Sequence, residues 1–156
     1  TAIYDRDIYK GVVMALYMLP GMPNVYYGDE IALKGKLGSN EGARYPMEWR
    51  EDHWDKELLS FFKEMGEVRR NEWLGFSSYR IEEVDEESFY VASFDDGKAL
   101  LAVINRGKQR EVKIPLSLLP KNRVSIILGK GSAVAGEEDL KVSLCDKQSV
   151  LIMLEK

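Results

Sequence analysis

Leu19-Pro20-Gly21-Met22-Pro23-Asn24-Val25-Tyr26-Tyr27-Gly28-Asp29-Glu30 is the stretch on which the fold of this chain turns. Pro20, Gly21 and Pro23 stop any helix that precedes them, because proline lacks the amide donor and clashes with the turn before it. Asn24-Val25-Tyr26-Tyr27 is a short β-prone run and predicts a buried strand. Gly28 lets the backbone turn, and two acids follow at the carboxyl end. Helix, breaker, strand, then polar loop is the grammar of α/β units, whose chemistry lies beyond the strands' C-termini. Side chains alternate across a strand, so Asp29 and Glu30 are expected to point to opposite faces. That suits a structural or rim role, not a converging acid–base pair.

Upstream, residues 5–19 carry Ile8, Val12, Ala15, Leu16 and Leu19 on one helical face. Tyr9, Val13, Met14 and Tyr17 add apolar surface on other sides, so the helix is expected to be covered broadly. Downstream, Lys34 to Asp52 holds Gly35, Gly38, Gly42 and Pro46 with few apolar residues. A loop of this length inside a domain is usually functional or disordered. Trp49 and Trp54 argue for order, and packing onto the next helix is their expected role. Asp52 or Asp55 can cap that helix, Glu57 suits its first turn, and Arg69 and Arg70 its last. Its stripe is Leu58, Phe61, Phe62, Met65 and Val68. Tyr26 and Tyr27 are expected in the core.

From Phe76 the period switches from helical to two. Strand-like runs recur near 76–84, 88–94, 98–105, 110–115, 123–128, 139–144 and 148–154. Asp95-Asp96-Gly97 reads as a hairpin turn. Asn105-Arg106-Gly107-Lys108 and Gly129-Lys130-Gly131 read as further turns. Leu140, Val142 and Leu144 alternate with Lys141 and Ser143, so that strand shows one face to water. Ala99 to Ile104 is apolar throughout and belongs at the centre. Seven short strands at this spacing predict an antiparallel sandwich.

The wording of these motifs resembles the α-amylase family of glycoside hydrolases. Leu-Pro-Gly-x-Pro-x-x-Tyr-Tyr-Gly-Asp-Glu is similar to the seventh helix and eighth strand of that family's barrel. Gly38-Ser39-Asn40-Glu41-Gly42-Ala43-Arg44-Tyr45-Pro46-Met47-Glu48-Trp49 resembles the loop after strand eight, and residues 58–70 the eighth helix. The resemblance implies an α+β chain: the terminal α-β-α segment of a (β/α)8 barrel over residues 1–74, then an antiparallel β-sandwich over 75–156. It implies an α-glucan substrate, with Arg44, Asn40 and Glu41 as substrate-binding residues. The family often shows an aspartate and a proline where this chain has Asn40 and Glu41. It also implies that the catalytic carboxylates lie upstream of residue 1, in a missing N-terminal part of the barrel, so no catalytic residue is assigned. The competing expectation is a non-catalytic glucan-binding or scaffold module, built on Phe76, Tyr79, Phe89, Tyr90 or Phe94.

Composition excludes other classes. Acids outnumber bases 26 to 22 across 156 residues, with signs interspersed. Nucleic acid and anionic membrane are therefore poor partners. No apolar run approaches the ~20 residues that span a bilayer. Cys145 is the single cysteine, which favours a reducing compartment and a cytoplasmic location. His53 sits among acids without a metal motif and is expected at the surface, and no cofactor is expected. Calcium, where the resembled family binds it, is held mainly outside the part matched here.

Overall fold

The structure, a computed structural model, describes residues 5–35, 45–72, 76–117, 119–120 and 123–156. Two helices, α1 (Arg6–Met18) and α2 (Lys56–Asn71), precede eight strands among these residues. The strands are β1 (Ser78–Asp85), β2 (Ser88–Phe94), β3 (Lys98–Asn105), β4 (Arg110–Pro115), β5 (Arg123–Gly129), β6 (Ser132–Ala135), β7 (Asp139–Leu144) and β8 (Ser149–Glu155). They form a five-stranded sheet of order β1-β2-β3-β8-β5 and a three-stranded sheet of order β4-β7-β6. Every pairing is antiparallel.

The alternation of β3 and β8 divides the core into two layers. Ala99, Leu101 and Val103, with Val150, Ile152 and Leu154, meet Val112, Ile114, Leu140, Val142 and Leu144 between the sheets. Leu100, Ala102, Ile104 and Leu151 face the other way, onto the helices. Ala99 to Ile104 is fully buried, which is why no polar residue interrupts that run. The expected half-wet strand is β7, whose Leu140, Val142 and Leu144 are buried and whose Lys141 and Ser143 are exposed. β6 is an eighth strand beyond the seven expected.

The turns form as their residues dictate. Asp95 Oδ1 accepts from the amides of Gly97 and Lys98, both at 2.9 Å, closing the β2–β3 hairpin. Asn105 is buried at the end of β3, where its Nδ2 donates to the Lys108 and Cys145 carbonyls at 2.9 Å. One amide thus joins the end of β3 to the segment before β4 and the segment after β7.

Asp5 caps α1 by accepting from the amides of Asp7 and Ile8, and Asp55 caps α2 through the Leu58 amide. Arg69, near the end of α2, donates to the carbonyls of Tyr17, Leu19 and Gly21. It therefore satisfies the orphan acceptors where α1 stops, a position with no basic residue of its own. Desolvation there draws its pKa below the ordinary arginine value. Lys98 pairs with Glu72 and holds the same end of α2 to β3.

Two expectations are corrected. First, α1 buries Gly11, Val13, Met14, Ala15, Tyr17 and Met18, not the stripe through Ile8, Val12 and Leu16. Val12 and Leu16 remain 38% exposed. The buried face is chosen by close approach: a Cβ on Gly11 would lie 2.4 Å from Ser149 Oγ, so only glycine lets the helix backbone sit on the sheet. Second, residues 24–27 are not a strand, and no described strand pairs with them. A short run becomes a parallel strand only between neighbours that satisfy its amides and carbonyls, and none pairs with it among the described residues.

Candidate functional site

The segment after α1 and the loop before α2 bring together the remaining polar and aromatic residues of the first half. Gly28, at φ +88°, turns the chain into a single 3-10 turn over Asp29–Ile31. Asp29 and Glu30 therefore sit in a turn and not at a strand's end, as expected from sequence. Burial, aided by Glu30, raises the Asp29 carboxyl above its ordinary value. Glu30 Oε2 is buried with no hydrogen-bond partner among the described residues. Tyr9 of α1 faces the same acids, and burial together with Asp29 and Glu30 lifts its phenol to about 12.

A carboxyl whose folded pKa is raised stabilises the fold fully below its unfolded pKa, about 4. That contribution disappears as pH rises through the folded value. D29N is therefore expected to melt higher than the parent at pH 7. The gap should close in a melting series taken down to pH 3, and a gap constant with pH would contradict this account.

The loop's later limb is tied back to its start. Tyr27 Oη donates to the Tyr45 carbonyl at 2.9 Å, and the Asp55 amide donates to the Ile31 carbonyl at 3.2 Å. Trp54 Nε1 donates to the Glu48 carbonyl at 2.7 Å, while Trp49 stands 78% exposed instead of packing on α2. The Glu48 carboxylate accepts from the Arg50 amide at 3.0 Å and from its guanidinium at 3.2 Å, and His53 Nδ1 lies 3.0 Å away. Arg50 first, then His53, hold Glu48 down to about 2. His53 is thus a surface residue held by a carboxylate, and no cluster of metal-binding side chains occurs among the described residues.

Asn40, Glu41 and Arg44, the sugar contacts expected from the sequence, lie outside the described residues. Tyr26 and Tyr27 are half exposed, with ring centroids 4.6 Å apart, and are not in the core as expected. An aromatic pair open at one loop can stack on a flat apolar face. Periodicity alone gave no sign of this pair, because a β-prone run reads as buried. Of the sandwich aromatics, Tyr90 is buried and Phe76, Phe89 and Phe94 are half-buried, so Tyr79 alone stands exposed.

No family model matches the chain. A maltogenic α-amylase of Bacillus acidopullulyticus is 32% identical over 119 residues, covering 72% of this chain and 20% of that protein. A cyclomaltodextrinase of Geobacillus thermopakistaniensis is 30% identical over 159 residues, covering 96% of this chain and 26% of that protein. The solved α-amylase of Geobacillus thermoleovorans, complexed with acarbose, superposes with a TM-score of 0.75 at 23% identity. It covers 97% of this chain and 34% of that one. The chain thus spans about a fifth to a quarter of the length of these curated relatives.

Proposed function

Because this chain belongs to the α-amylase family of glycoside hydrolases, as a C-terminal part of such an enzyme, we propose that it serves a retaining α-glucan-active glycosidase as one wall of the sugar cleft plus a bracing β-domain. The whole enzyme would hydrolyse or transfer at α-1,4-glucosidic bonds through an aspartate nucleophile and a glutamate acid/base. In this reading neither carboxylate lies in the present chain. Residues 1–74 close the catalytic barrel, and residues 75–156 support it. Arg44, with its forked donors, and the polar groups of Asn40 and Glu41 suit vicinal sugar hydroxyls.

The carrying observation is the uncovered flank. Val12 and Leu16 of α1 are exposed, and residues 22–26 have no regular secondary structure and join no described ladder. Met22 and Tyr26 lie open along that same run, and Tyr27 directly after it. These are surfaces that neighbouring barrel elements would bury. A glucan-binding module is less well supported, since only one sandwich aromatic is exposed.

The purified chain is expected to release no sugar from maltoheptaose and to bind an apolar dye. V12D/L16K should suppress dye binding while leaving the circular dichroism of the sandwich intact. Turnover by the purified chain would overturn the proposal, as would the absence of any dye-binding surface.

A further inference from the structure

The strand β1 ends the five-stranded sheet and is hydrogen-bonded to β2 alone. Alternate amides and carbonyls along its outer edge have no ladder partner among the described residues. Exposed edges are commonly blunted by proline, lysine or a bulge; Ser78–Asp85 contains neither proline nor lysine, and its one register irregularity falls at its end, between Glu83 and Asp85. Tyr79 and Ile81 lie opposite Ser93 and Val91, on the helix side of the sheet. They are nevertheless 56% and 54% exposed, because α1 packs over β2, β3 and β8 and stops short of β1. Arg80 and Glu82 share the opposite face, 3.2 Å apart.

We propose that this edge pairs with the same edge of a second copy of the chain, antiparallel about a two-fold axis through Ile81. A strand laid antiparallel on itself with like faces together must centre on one residue. Centring on Arg80, Glu82 or Glu83 sets like charges face to face. Centring on Tyr79 leaves Arg80 opposite Ser78. Centring on Ile81 alone places Arg80 of each copy against Glu82 of the other, twice over. It also stacks Ile81 on Ile81 and lays Tyr79 over Glu83. Opposite charges directly across a ladder stabilise it and like charges destabilise it. The two five-stranded sheets would then run as one, and no unpaired edge would remain at β1.

Sedimentation equilibrium on the full chain tests this. The parent is expected to dimerise. R80E should raise the dissociation constant about tenfold or more, since acid then meets acid at both crossings. R80E/E82R should restore the parent value by exchanging the charges in register. I81K, at an exposed position that the folded monomer tolerates, should also abolish the dimer, and V12D/L16K should leave it unchanged. A parent that stays monomeric, an R80E/E82R variant that does not recover, or loss of the dimer in V12D/L16K would each overturn the proposal.

Discussion

Gly11→Leu will lift α1 from the sheet and leave the sandwich folded. A Cβ at residue 11 meets Ser149 Oγ at 2.4 Å and Ile104 Cγ2 at 3.2 Å, and the three further carbons of leucine cannot be housed there. Overpacking alone costs about 1–3 kcal/mol. Relief by undocking exposes Met14 and Met18, now 2% and 0% accessible, and breaks the Ser93 hydroxyl's bond to the Met18 carbonyl. Helix α1 should therefore lose about 3 kcal/mol or more of protection against amide exchange. The amides of β7, which are laddered to β4 and β6 and whose buried side chains belong to the inter-sheet core, should keep theirs. Equal loss in both places would mean that helix layer and sandwich unfold as one unit. No loss in α1 would mean that the close approach at Gly11 is not needed.

Leu101→Ala, in contrast, should weaken everything. Leu101 is fully buried between the sheets, in register with Ala92 on one side and Ile152 on the other. Both neighbouring strands are hydrogen-bonded along their length, so the site cannot collapse around the missing methyls. A loss of about 2–5 kcal/mol is expected, a large share of the 5–15 kcal/mol typical of a domain. In urea the midpoint should fall by about 1–2 M with an unchanged slope. A change in slope would point to a partly unfolded native state. A shift well under 1 kcal/mol would mean that the two sheets do not share the core described.

The sandwich was legible because its strands carry unambiguous patterns. Leu140, Val142 and Leu144 could bury only one face, and Ala99–Ile104 had to be central. β6 escaped because Ser-Ala-Val-Ala is too short and too mildly apolar to stand out between Gly131 and Gly136. The first helix was legible as a helix but not in its orientation. It is apolar on nearly every side, and hydrophobic periodicity gives no weight to glycine, the residue that decides which face docks. The strand at 24–27 failed for a different reason: local propensity describes a residue's preference, whereas a parallel strand exists only in company. Asn40, Glu41 and Arg44 rest on wording alone, because a polar loop has no period from which geometry follows. The tie between Tyr27 and the Tyr45 carbonyl, which sets the two limbs of that loop together, has no sequence signature at all.

The seating of α1 fixes an order of events during synthesis. Its resting place is built from β2, β3 and β8, and Ser149, which meets Gly11, lies 138 residues further along the chain. Contacts so distant form late, after the intervening loops have closed. Helix α1 is made before the strands it rests on and is thus among the last pieces to settle, and until β8 emerges its sheet-facing side lacks that cover.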